Sequence, residues 1–227
     1  MSKTRFVFSI AVVALMVATP ATGQLLNFPV LALAPGDADG VTSIAGGWGR
    51  GLNDESGKLN AFGIGVRRGM EKISFGVAVG YVLSDTAAFL PSSEVSLSGA
   101  VGYHVINDAD SPVSVTVQGG AGWSKPGDDP LDTTLLLFPL GVAIGGSTQA
   151  GSMMVRPWVM PRVQWTRSSP TGGTSSTDTD FGASGGVGFA TEGGFGFGLA
   201  IDWLLQDDGT GSNASNFLFS LGVNYLL

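Results

Sequence analysis

Residues 73–83 read ISFGVAVGYVL. Ile73, Phe75, Val77, Val79, Tyr81 and Leu83 alternate with Ser74, Gly76, Ala78, Gly80 and Val82. Successive side chains of a strand point to opposite faces, so a period of two is a strand signal. One face of this strand is bulky and apolar, the other mostly small. The bulky face is too continuous and too poor in charge to be an outer surface in water. A soluble barrel, with its apolar side chains turned inward and charge outside, is the rival that this pattern disfavours.

The pattern recurs along the chain. Val95, Leu97, Val101, Tyr103 and Val105 alternate with Glu94, Ser96, Ser98, Ala100, Gly102 and His104. Phe195, Phe197, Leu199, Ile201 and Trp203 alternate with Gly196, Gly198, Ala200 and Asp202. Ten such segments are predicted, at 41–52, 59–68, 72–83, 94–105, 113–123, 133–146, 153–166, 180–190, 194–205 and 215–227. Each has roughly the length of a tilted strand that crosses a bilayer. The expected fold is all-β, an up-and-down antiparallel transmembrane β-barrel of about ten strands. An eight-strand count follows if the first and eighth segments are misread. Expected connections alternate in length. Those around 69–71, 106–112, 147–152 and 191–193 are short, and those at 84–93, 124–132, 167–179 and 206–214 are longer. Short turns inside and longer loops outside is the outer-membrane arrangement.

Composition removes other classes. The chain has 227 residues with 44% hydrophobic, enough for one folded domain and too apolar for disorder. Its 36 glycines, about twice ordinary usage, show no Gly-X-Y period. A net charge of −7 leaves no basic footprint for nucleic acid. There is no cysteine for a disulfide, a thiolate metal site or a lipid anchor. Lys3 and Arg5 precede an apolar run from Phe6 to Ala18, and Ala21-Thr22-Gly23 is a small-residue cleavage site. Residues 1–23 therefore read as a secretory signal peptide, too short in its apolar part to be an anchor. Residues 24–40, with Pro29 and Pro35, read as a periplasmic tail, and 41–227 as the barrel.

Trp and Tyr collect where a membrane meets water, because one end of each ring is apolar and the other wet. Threading places Trp48, Tyr81, Trp123, Trp165 and Trp203 at the outer ends of their strands and Tyr103 and Tyr225 at the inner ends. These seven are the expected membrane-interface girdle. The chain stops within a strand, with Phe217, Phe219, Leu221, Val223, Tyr225 and Leu227 on one face. That strand resembles the closing strand by which outer-membrane barrels are recognised for assembly, although such strands usually end in Phe or Trp rather than Leu. In pattern, signal peptide and closing strand, residues 41–227 resemble the small outer-membrane barrels of the OmpA/OmpX and OmpW type. The resemblance implies fold and an outer-membrane location, with membrane lipids and the barrel-assembly machinery as partners. It carries over no catalytic or ligand residue.

The inward face is mostly Gly, Ala and Ser, interrupted by Arg67, Glu94, His104, Gln118, Arg156, Trp158, Met160, Arg162, Gln164, Asp202 and Asn224. Arg162, Asp202 and Glu94 are expected to form an ion network in the outer half, with Arg67, His104 and Arg156 in the inner half. That set is either a structural plug or a charge constriction for a small solute. A water-filled lumen and a narrowed, filled barrel both fit the small residues. Pro139, Pro157 and Pro161 interrupt the sixth and seventh segments. A hairpin turn near Gln149 and Ala150 would set Pro139 opposite Met160 and Pro161, a weakened seam with a bulge or a small lateral opening. Asp54, Glu55, Asp85, Asp128, Asp129, Asp132, Asp178, Asp180, Asp207 and Asp208 make the outer loops acidic, read as solvated charge rather than a cation site. His104 is the one histidine and lies toward the inner end, so an outer-rim His-acid site is not expected. Gly193 to Gly198 lacks the Lys-Ser/Thr pair and following helix of a nucleotide loop. No catalytic, cofactor or metal residue is assigned. A structural or surface-interaction barrel leads, a narrow diffusion channel or transporter follows, and an enzyme comes last.

Overall fold

A computed structural model describes residues 41–52, 59–84, 93–107, 111, 113–126, 133–207 and 213–227. The expected signal peptide and tail lie outside these residues, as do the loop acids Asp54, Glu55, Asp85, Asp128, Asp129, Asp132 and Asp208.

The strands are β1 (Thr42–Gly51), β2 (Leu59–Met70), β3 (Ile73–Ser84), β4 (Ser93–Ile106), β5 (Val113–Pro126), β6 (Thr134–Gly146), β7 (Thr148–Ala150), β8 (Met153–Ser169), β9 (Ser176–Thr191), β10 (Phe195–Asp207) and β11 (Asn213–Leu226). Strands β6 and β7 are one stave of the wall, interrupted at Ser147, and both pair with β8. The result is ten staves, each hydrogen-bonded to the next in the chain, all antiparallel. Pairing of β1 with β11, from Ser43↔Leu226 to Gly51↔Leu218, closes the ring. A closed ring leaves no open strand edge and satisfies the backbone within the wall.

The alternation read from the sequence is the alternation of the wall. Val77 is 59% exposed on the outside, while its neighbour Ala78 is 5% exposed on the inside. The outer surface is a band of exposed Ile, Val, Leu and Phe drawn from nearly every stave. An apolar band of this extent is stable against lipid, not water.

Most boundaries agree with the predicted segments to within a few residues, and two connections differ. The expected turn near Gln149 and Ala150 is displaced, because the stave continues through Ala150. The hairpin turns instead at Gly151 and Ser152, where Gly151 takes the left-handed conformation (φ 66°) that glycine adopts without strain. The long loop expected at 167–179 shrinks to residues 170–175, because β8 runs to Ser169 and β9 begins at Ser176. Arg167, Asp178 and Asp180 are therefore strand residues, and Asp180 is buried inside rather than solvated in a loop.

The displaced turn also corrects the proline register. Pro139 faces Gln164, not Met160 and Pro161. The β6–β8 ladder is unpaired at Val142 and Ala143 opposite Met160 and Pro161, and resumes at Ile144↔Val159 in the same register. The β5–β6 ladder likewise breaks between Gly119↔Leu140 and Gly122↔Leu137, around Pro139. Each proline removes a donor, so pairing lapses locally without the extra residue that makes a bulge. The register shift in this sheet lies elsewhere, between His104 and Ile106.

The small inward residues do not leave an open pore. Ala61, Thr116 and Ser220 are 0% exposed, although they face the lumen at different heights. The filling comes chiefly from one stave. Arg156, Trp158, Met160, Arg162 and Gln164 are consecutive inward residues of β8, and all are buried. They face Gly188, Gly186, Ser184, Gly182 and Asp180 of β9. Trp158 and Met160 pack with Ala143 and Ala200 in a small apolar core. Glycine on the neighbouring staves is what makes room. A Cβ at Gly141 on β6 would stand 3.0 Å from Arg162 Cβ and 3.1 Å from Met160 Cγ.

Candidate functional site

The lumen holds the buried charge. One end of the barrel carries the tight connections at 71–72, 151–152 and 192–194 and is called the turn end. The other is the loop end.

In the loop half, Arg162 on β8 meets Asp202 on β10 across the stave between them. Its Nη2 donates to Asp202 Oδ2 at 2.9 Å and its Nη1 donates to Asp202 Oδ1. Nη1 also donates to Ser184 Oγ at 2.7 Å, and Ser184 Oγ donates to Asp202 Oδ1 at 2.6 Å. The fork geometry is the strong bidentate form of an arginine–carboxylate pair. Both side chains are almost wholly out of water. One turn of the pleat closer to the loop end, Asp180 is 3% exposed. Thr166 Oγ1 accepts from Gln164 Nε2 at 3.4 Å and donates to Asp180 Oδ2 at 3.5 Å. Glu94, the third expected member, pairs with Val82 and Pro126 through its backbone, and its side chain lies outside the described residues.

The turn half gathers Arg67, His104 and Arg156, all buried. Arg67 Nη2 donates to Ser74 Oγ at 2.8 Å. His104 Nδ1 and Thr116 Oγ1 are hydrogen-bonded at 2.9 Å, and the imidazole tautomer sets which of them donates. Arg156 Nε donates to Met154 Sδ at 3.1 Å. The expected six residues therefore divide. Arg162 and Asp202 are brought together, and the three basic residues occupy the other half with partners of their own. Among the described residues, His104 forms no pair with a carboxylate, since Asp180 and Asp202 belong to the loop half.

Sequence reading missed Ser184, Ser74, Thr116 and Asp180. Strand parity could have found all four, because each falls on the inward face of its stave.

The aromatic residues point outward from the expected ends. Tyr81, Trp123 and Trp165 are exposed at the loop end, while Trp48 and Trp203 are half-buried there. Trp48 meets Phe219 edge-on with ring centroids 6.5 Å apart, and Trp203 Nε1 donates to Ser215 Oγ at 3.3 Å. Tyr103 and Tyr225, 50% and 51% exposed, stand at the turn end. Phe189 and Phe197 stack at that same end with centroids 4.7 Å apart, a pair not anticipated from the sequence.

No family model and no curated protein matches the chain. Its architecture is similar to that of several solved barrels at low sequence identity. Neisserial surface protein A is 16% identical with a TM-score of 0.40, over 82% of this chain and 95% of that one. The outer-membrane protease OmpT of Escherichia coli is 9% identical with a TM-score of 0.44, over 83% and 97%. A bacterial polysaccharide outer-membrane secretin is 10% identical with a TM-score of 0.41, over 82% of this chain, which spans 65% of the secretin's length.

Proposed function

We propose that the chain is an integral outer-membrane β-barrel with a structural or surface-interaction role and a lumen that does not conduct. The observation that carries this reading is the contrast between the two faces of the wall. The outside is an apolar band suited to lipid, while the inside is filled by the β8 side chains and tied by the Arg162–Asp202–Ser184 knot. In this reading the turn end faces the periplasm, residues 1–23 are removed on export, and the seven Trp and Tyr residues lie at the two membrane–water boundaries. The exposed apolar face of β11, with Phe217, Leu221, Val223 and Tyr225, suits recognition by the barrel-assembly machinery. Catalysis has no place in it. The one histidine is buried against Thr116, away from the loop end where a surface substrate would arrive.

The competing reading is a narrow channel in which Arg162 and Asp202 form a constriction for a small solute. Single-channel recording of the full chain in a planar bilayer separates the two. Silence at voltages that leave the barrel intact is the expected result. A steady open level in the wild-type protein would establish the channel instead.

A further inference from the structure

We propose that the loop-end rim of the β5–β6–β8 wall binds the phosphorylated headgroup of a membrane lipid. The inference rests on the outer-membrane reading above and adds a specific ligand class to it.

Register and parity assemble the site from three adjacent staves. Trp123, Leu136 and Arg167 are paired in one row, and Phe138 pairs with Trp165 in the row nearer the membrane centre. All five side chains are on the outward face. Lys125 lies two residues beyond Trp123, and Arg167 two beyond Trp165, so each cation projects from the same face one pleat to the loop side of its own stave's ring, with Arg167 level with Trp123. Trp123, Phe138 and Trp165 are 38%, 43% and 38% exposed and form an aromatic shelf. Lys125 and Arg167 are exposed above it. Two inter-strand spacings separate their staves, on the order of 10 Å, so two long side chains can converge on one phosphate or take two neighbouring ones.

Each layer matches a part of a lipid. Aromatic rings of this kind settle where headgroups meet hydrocarbon. Cations just beyond that level meet phosphate, which arginine takes bidentately. Arg167 is the anchor, and Lys125, which also engages another group of the chain, is the second cation. Free phosphate would use the cations but gain nothing from the shelf. Arg50 on β1 is the built-in comparison. It too is exposed and outward near the loop end, but its partners across the two adjacent staves are Asn60 and Phe219, so among the described residues no second cation flanks it.

The test is native mass spectrometry of the full chain in uncharged detergent micelles. It is titrated with a bis-phosphorylated lipid of the lipid A class, with the same lipid stripped of both phosphates, and with inorganic phosphate as competitor. The expected result is a preference of about tenfold or more for the phosphorylated lipid, equivalent to about 1.4 kcal/mol. That preference should vanish in Lys125→Gln/Arg167→Gln and persist in Arg50→Gln. The proposal is overturned if the double variant keeps the preference, or if Arg50→Gln loses it equally. Displacement by inorganic phosphate at concentrations equal to the lipid would also overturn it, since the ligand would then be the free anion. Heat-modifiable gel migration and recovery in the outer-membrane fraction are followed for every variant. A wild-type chain that fails both takes down the outer-membrane reading and this site together. One that passes both but shows no phosphate preference removes the lipid site alone.

Discussion

The two halves of the lumen hold their charges by different means. In the loop half, Arg162 and Asp202 neutralise each other in a two-point clasp, with Ser184 bonded to both. In the turn half, Arg67 and His104 lean on the neutral hydroxyls of Ser74 and Thr116. Losing a partner therefore has different consequences. Deleting the Asp202 carboxylate strands a full charge in a dry interior, whereas deleting the Thr116 hydroxyl strands one imidazole nitrogen. The loop half is tightly specified and intolerant, and the turn half more forgiving.

Asp202→Ala gives the sharpest test of that contrast. It leaves Arg162 buried without its counter-charge and should cost about 3–5 kcal/mol, read from denaturant unfolding followed by tryptophan fluorescence in lipid vesicles. Arg162→Met/Asp202→Leu should recover much of the loss. A double variant as unstable as the single would mean that shape, not charge, decides there. Next in size is Gly186→Ala, where β9 approaches β10 too closely for a side chain. Its new methyl would meet the Leu199 carbonyl and stand 2.8 Å from Ala200 Cβ. Overpacking of this kind costs about 1–3 kcal/mol. Gly188→Ala, with ordinary contact at 3.8 Å to Arg156 Cβ, should be nearly neutral in the same denaturant unfolding series. Equal effects at 186 and 188 would show that the close approach of β9 to β10 at Gly186 does not set the cost. The smallest effect belongs to Thr116→Val, which removes the hydroxyl held by His104 at nearly constant volume. About 1 kcal/mol is expected. A loss matching that of Asp202→Ala would erase the distinction between the halves.

The fold was legible because lipid enforces it residue by residue. A bulky side chain on the wrong face of Ile73–Ser84 would either enter a full lumen or leave a gap in the apolar band, so alternation is nearly unbroken. Turn positions are set less strictly. Gln149 and Ala150 have the polar and small character of a turn, yet the chain reverses at Gly151 and Ser152, where backbone conformation rather than side-chain character decides. Asp180 was misplaced for a related reason. Its neighbours Thr177, Asp178 and Thr179 read as a loop, although the parity of its stave and its pairing with Gln164 give it an inward strand position. The state of the lumen lay further from reach. Which side chains fill the space left by Gly, Ala and Ser depends on what projects across from another stave. Five large inward residues in succession on β8 were the signal, and their meaning appears once β9 is seen to offer glycine, serine and one aspartate opposite them.

The meeting of β1 with β11 has a consequence for biogenesis. These two staves are the farthest apart in sequence among the described strands, so the ladder that closes the ring spans the greatest sequence separation of all. A chain cut short by one hairpin would present two raw borders with unspent donors and acceptors, an invitation to neighbours and to proteases. Closure of the ring thus requires every hairpin to be in place, and a copy lacking one keeps two exposed borders.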